Sequence, residues 1–347
     1  MRQRLVEKEL DGILISQPEN RYYLSGFDGS AGLLLITAKG AFLATDFRYT
    51  EQAKTQAPDY EIFRITNEVA TWFPELIAGL NLKRLGFEAE HVSLAMYRRL
   101  TEALNKAQSP LRLAPMNGLV ESLRAIKESE EVELITKAVA ISDSAVEHIK
   151  DIIQVSMSEK EVAWEIEKFM REKGSQSLPF DVIVASGSNA ALPHAKPSSR
   201  NIQSGEPIII DIGARIGGYV SDLTRTICLG TPDDIFNRVY DTVLGAQLVA
   251  MATIKEGMTG EEADRLARVV IEEAGYGEAF GHGLGHGIGL APHEQPRLGP
   301  NSSENLVNGM VFTIEPGIYV TGWGGVRIED VGIMEVDKIR EITKAKK

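Results

Sequence analysis

The chain has 347 residues, 43% of them hydrophobic and 25% charged, a composition that suits two compact globular units and excludes a disordered or fibrous protein. A formal charge of −12 lacks the basic footprint that nucleic acid demands, and the single Cys228 excludes both an intramolecular disulfide framework and a CxxC zinc site. Met1 to Leu10 is charged and amphipathic without the apolar stretch of a secretion signal, and no 18-residue apolar run follows, so the expectation is a cytoplasmic protein with no membrane partner.

Residues 1–125 alternate short apolar runs with helical patterns. Gly12 to Ser16, Gly32 to Thr37, Ala41 to Thr45, Tyr60 to Ile65 and Arg84 to Glu88 predict strands; Tyr49 to Gln56, Glu68 to Ala78 and Leu94 to Ala107 predict helices. This predicts an α/β N-terminal domain. A long helix is expected to open at Arg124, with the domain boundary beside it and a second domain over 126–347. There the pattern becomes paired amphipathic helices followed by strands and glycine-rich turns, 22 of the 32 glycines lying after residue 200.

The second region repeats itself. Met157-Ser158-x-x-Glu161 carries the pattern of a helix N-terminus in which serine and glutamate cap each other, and Met258-Thr259-x-x-Glu262 carries it again 101 positions later. Gly174 and Gly275 end the two helices at the same offset. Downstream, Gly205 to Gly213 matches Gly309 to Gly317, with a carboxylate, Asp211 or Glu315, at the same place in each copy. The expected architecture is an α+β domain of two halves related by an approximate two-fold axis.

Asp211 ends the run Ile208-Ile209-Ile210, and Asp222 follows the turn. A tight hairpin centred on Ile216 and Gly217 would set the two aspartates directly opposite each other, about 5 Å apart on one face. Carboxylates that close repel unless a proton or cation lies between them. Aspartates flanking a turn also commonly face solvent, but Glu315 and Glu329 repeat the device across Thr321 to Gly325, and two such hairpins are hard to ascribe to chance. The glycine-rich stretch Gly281 to His293 adds imidazole, and four of the six histidines, His194, His282, His286 and His293, fall in these strands and loops. Four carboxylates with one imidazole and no thiolate favour Mn²⁺ or Co²⁺, with Zn²⁺ compatible, over a closed structural zinc. Five ligands suit two ions sharing a water, and the reaction class is hydrolysis.

Asp211, Asp222, His286, Glu315 and Glu329, in that order and spacing, resemble the metal ligands of the pita-bread metallopeptidases (family M24). The preceding α/β domain, with Gly285-His-Gly-Ile-Gly, His293-Glu-x-Pro-Arg297 and Gly324-Gly-Val-Arg-Ile-Glu-Asp330, is similar to the Xaa-Pro dipeptidases (prolidases) and Xaa-Pro aminopeptidases. The resemblance implies cleavage before a proline at the second position of a peptide, and a homodimer. By it His286 is the imidazole ligand, and Glu315 both ligates metal and carries protons. His194 and His293 bind substrate and steady the tetrahedral intermediate, His282 is an accessory pocket residue, and Arg297 and Arg327 orient the ligands or the substrate. Ala291-Pro292 departs from the acidic-apolar pair of many relatives, which touches substrate preference rather than chemistry. Two rivals remain: a non-catalytic pita-bread module that binds peptide or protein, which normally loses ligands, and a creatinase-like hydrolase, which does not use this metal set.

Overall fold

The computed structural model describes residues 1–66 and 68–347, and the chain divides into two compact units, Met1–Leu123 and Arg124–Lys347. The first runs α1 (Arg2–Glu7), β1 (Gly12–Ile15), α2 (Pro18–Ser25), β2 (Leu33–Thr37), β3 (Ala41–Thr45), α3 (Thr50–Gln56), β4 (Glu61–Arg64), α4 (Val69–Ile77), β5 (Arg84–Glu88), α5 (Leu94–Lys106) and β6 (Arg112–Met116), before the single turn α6 (Glu121–Arg124). Its mixed six-stranded sheet has the order β4-β3-β2-β1-β5-β6. The sheet is covered on both faces: Ile13, Ile15, Leu34 and Ile36 pack into one core, while Leu14 and Leu35 between them pack into another. Burial on both sides is why these strands read as continuous apolar runs instead of alternating ones. Two elements carry no such signal. Pro115 lies in β6, which the sheet tolerates because β6 is an edge strand; α2 is short and polar, marked only by Pro18 at its start and a left-handed Gly26 at its end.

In the second unit the long helix α7 (Ser129–Ile152) starts five residues after the expected Arg124. Residues 126 and 127 spend their backbone groups elsewhere: Ile126 bridges Met310, and the Lys127 amide donates to the Gly309 carbonyl. The helix then opens on a reciprocal cap between Glu128 and Glu131. After it come α8 (Glu159–Glu172), β7 (Ile183–Ser186), β8 (Pro207–Ile212), β9 (Arg215–Ile216), β10 (Tyr219–Val220) and β11 (Leu223–Cys228). The same order recurs in α9 (Asp234–Thr253), α10 (Gly260–Glu273), β12 (Gly285–Gly287), β13 (Glu294–Leu298), β14 (Val311–Ile314), β15 (Gly317–Val320), β16 (Gly324–Arg327), β17 (Asp330–Met334) and β18 (Ile339–Glu341).

The repeat is visible in the pairing: β7-β8-β11 form one sheet, and β12-β14-β17 lie at the centre of another, each with a small hairpin inserted before its last strand. Both expected caps form at α8 and α10, and Gly174 and Gly275 end those helices with φ of 102° and 86°. Each half keeps its own apolar core, around Ile208 and Ile210 in the first and Phe312 and Ile314 in the second. Among the described residues no helix is long and apolar enough to cross a membrane.

Candidate metal centre

The first carboxylate hairpin corrects one expectation. Asp211 pairs with Thr224, not with Asp222, and Ile216 pairs with Tyr219. The turn is therefore centred on Gly217 and Gly218, whose φ values of 57° and 85° are those of a type I′ connection. Ile216 is β-branched and cannot take such a conformation cheaply, so the turn slides one position to the glycine pair. A slide of one at the turn moves the pairing by two, which preserves the face. Asp211 and Asp222 thus remain on one side of the sheet, diagonal rather than opposed. In the second hairpin, Ile314 pairs with Asp330 in one ladder and Gly317 with Arg327 in the next, so a single register runs through both and sets Glu315 opposite Glu329.

These strands converge on a cavity of about 1010 Å³ within the second unit, lined by all ten residues singled out above: His194, Asp211, Asp222, His282, His286, His293, Arg297, Glu315, Arg327 and Glu329. His286 Nε2 lies 3.1 Å from Glu315 Oε1 and 3.7 Å from Asp222 Oδ2. One ligand atom from each of Asp222, His286 and Glu329 falls within 4.8 Å of the others. The imidazole is aimed by its other nitrogen, Nδ1, which meets the Gly287 carbonyl at 3.2 Å and leaves Nε2 facing the carboxylates. Arg297, cross-strand partner of His286, lines the same wall, while the ring of His293 stands edge-on to His286 at 4.1 Å.

Around this cluster lie Thr224, Thr313 and Tyr319, which the sequence did not signal, together with Arg327 and His282, which it did. Thr224 Oγ1 donates to Glu329 Oε2 at 2.7 Å, and Thr313 Oγ1 to Glu315 Oε1 at 3.1 Å. Arg327 donates to Asp211 Oδ2 at 2.6 Å, to the Pro193 carbonyl at 3.2 Å and to the Tyr319 hydroxyl at 2.8 Å; that hydroxyl also meets His282 Nε2 at 3.0 Å. A threonine or tyrosine in an apolar strand looks like packing, and only its placement against a carboxylate gives it this role.

The electrostatics are those of an anion cluster held by too few cations. Burial first, and then the neighbouring carboxylates, push Asp222 and Glu329 well above the ordinary carboxylate range. Burial also raises Asp211, against the pull of Arg327. For Glu315 burial is again the largest influence, but the His286 hydrogen bond and the charges of His286, His282 and Arg327 together outweigh it and hold the group at about 2. Two carboxylate oxygens, Asp211 Oδ1 and Glu329 Oε1, are buried without a hydrogen-bond partner in the chain. Unpaired buried anions are costly, and divalent cations satisfy this donor set of oxygens and one imidazole nitrogen.

Residues 133–335 match the sequence pattern of metallopeptidase family M24, and residues 1–126 that of the creatinase/prolidase N-terminal domain. The chain belongs to metallopeptidase family M24. It is 43% identical to the uncharacterized peptidase YqhT of Bacillus subtilis, over 97% of this chain and 95% of that one. Among solved structures, an Xaa-Pro dipeptidase from Bacillus anthracis is 44% identical with a TM-score of 0.95, covering 100% of this chain and 96% of the other. An X-Pro aminopeptidase from Thermotoga maritima is 36% identical with a TM-score of 0.89, covering 99% and 98%. The two repeated halves are the pita-bread fold, and the M24 chain is a metal-dependent hydrolase acting on peptides.

Proposed function

We propose that this M24 peptidase hydrolyses the peptide bond preceding proline, as an Xaa-Pro dipeptidase or, on longer peptides, an Xaa-Pro aminopeptidase. The observation that carries the reading is the set of four carboxylates and one imidazole gathered at one cavity wall, in a chain similar throughout its length to proteins named for each of these two activities. Asp211, Asp222, His286, Glu315 and Glu329 would hold two divalent ions, and the oxygen-rich set favours Mn²⁺ or Co²⁺ over Zn²⁺. Bound there, the ions supply Lewis acidity and bring a water's pKa toward neutrality.

The chain's own side chains do the rest. Glu315 accepts a proton from the attacking water and delivers it to the leaving proline nitrogen. His194, exposed at the cavity wall, and His293 donate hydrogen bonds to the developing oxyanion. Burial holds the His293 imidazole below its usual range, aided by the neighbouring His286, so it serves as a neutral donor. Arg327 fixes the Asp211 carboxylate, and Arg297 offers a cation to the substrate's carboxylate end. The proline-specific enzyme is proposed to work in the cytoplasm as a homodimer. A peptide-binding module without catalysis has no need of five retained ligands, and their joint presence argues against it.

The test is release of free amino acid from an Xaa-Pro dipeptide and from an Xaa-Pro-Xaa tripeptide by metal-stripped protein, with and without added Mn²⁺ or Co²⁺. Metal-dependent cleavage of the dipeptide alone is the expected dipeptidase result, and preference for the tripeptide selects the aminopeptidase. Failure to cleave either with metal bound would overturn the proposal.

A further inference from the structure

Glu159, at the first position of α8, is fully buried although it is a carboxylate at the surface end of an amphipathic helix. Its side chain reaches both ends of the loop that follows β7. At one end Oε1 accepts from the Ser186 amide and hydroxyl, each at 2.8 Å; at the other Oε2 accepts from the Ser198 amide at 2.9 Å and the Ser198 hydroxyl at 2.7 Å. Asn189 Nδ2, inside the loop, donates to both oxygens at 3.1 Å. The loop so closed carries His194 on the cavity wall, and its Pro193 carbonyl accepts from Arg327, the residue that holds Asp211.

The internal repeat supplies a control. Gly260 occupies the equivalent position in the second half, immediately after the capping Thr259 of α10. There the loop packs directly on the helix backbone: a Cβ at Gly260 would fall 2.0 Å from the Arg297 carbonyl oxygen and 2.6 Å from Ser302 Oγ. In the first half the Arg200 and Ser198 carbonyls accept from the Glu159 and Lys160 amides, as the Glu304 and Ser302 carbonyls do from Gly260 and Glu261, but here a glutamate side chain spans from the helix start to Ser186 and Ser198. The same side-chain position is thus closed off by direct contact in one copy and filled by a carboxylate bridge in the copy that bears His194.

We infer that Glu159 is a positioning residue that fixes the His194 loop against the metal centre. The inference rests on the proposed role of His194 in the reaction. Its chemical requirement is an acceptor on both oxygens. Arg200 donates to both serine hydroxyls, Nη1 to Ser186 and its amide to Ser198, so each hydroxyl hydrogen is left to point at Glu159. Each oxygen also takes a backbone N–H that cannot rotate away, so neither orientation of a glutamine amide suits the site.

The experiment compares wild type, Glu159→Gln, His194→Ala and the double variant on alanyl-proline at saturating Mn²⁺, with bound metal and Tm measured for each. Glu159→Gln is expected to lower kcat/KM by about 10- to 100-fold, mainly in kcat and with metal content unchanged, because a misplacement near 1 Å costs that much. In the His194→Ala background the same change is expected to cost less than about twofold, since the imidazole that the loop positions is gone. A loss of equal size in both backgrounds, or no loss in wild type, overturns the positioning role while leaving His194 intact as a functional residue. Wild-type activity in His194→Ala alone overturns the assignment of His194 and the inference with it. Should Glu159→Gln fail to fold, Ser198→Ala removes one donor and leaves the carboxylate; a smaller loss that vanishes in the His194→Ala background supports the role, and an additive loss refutes it.

Discussion

Arg327 shows how much a single side chain settles in this cavity. It is 3% exposed, and its guanidinium serves an aspartate, a threonine, a tyrosine and a backbone carbonyl at once. Lysine keeps the charge but not the planar fork that holds these acceptors together. Arg327→Lys is therefore expected to fold and to lose roughly 100-fold in kcat by steady-state kinetics, since Asp211 is no longer held in place. Arg327→Met leaves Asp211 buried and unpaired and should cost about 3–5 kcal/mol of stability by urea denaturation of the metal-free protein. Wild-type kcat in the lysine variant would show that the fork is dispensable. Arg327 was legible in the sequence through its motif, as were the carboxylates and His286. Tyr319, Thr224 and Glu159 were not, because their importance lies in contacts between residues 8 to 105 positions apart that no local pattern encodes.

Among elements, the apolar runs and caps could be read directly: five strands of the first unit, and the capped pair α8 and α10, stand within a residue or two of where periodicity places them. Register was harder. The spacing of Asp211 and Asp222 invited direct opposition, and only the competition between Ile216 and Gly218 for a left-handed turn position decides against it. That competition is testable. Gly218→Ala forces a Cβ into a φ of 85° and should cost about 1 kcal/mol in thermal or urea unfolding. Because register follows the turn, the cost should be accompanied by weaker metal binding at the Asp222 side. An alanine variant as stable as the parent would mean that the turn can relax and that glycine does not set the register.

The whole catalytic unit stores its instability at the seam between its halves. Asp211 and Asp222 come from the first half, His286, Glu315 and Glu329 from the second, and buried Arg225 crosses between them to Asp330 and the Glu329 carbonyl at 2.6 Å each. A carboxylate whose folded pKa is raised favours the folded chain only while it is protonated. For Asp222 and Glu329 that contribution is present below their ordinary values of 3.8 and 4.5 and is lost as pH rises through the raised values. Metal-free protein should accordingly lose stability as pH rises above the ordinary carboxylate range on account of this site. Divalent ions held as proposed by these five residues would replace the lost protons and tie the two halves together, and at a hundred times Kd they would add about 2.7 kcal/mol. For a unit of this size that corresponds to a Tm rise of roughly 5–10 °C. Differential scanning calorimetry with and without Mn²⁺ should find the rise large at pH 8 and smaller at pH 5.5, where protons compete for the same oxygens. A rise independent of pH would place the stabilising ion outside the carboxylate cluster, and its absence would mean that the two halves hold together without one.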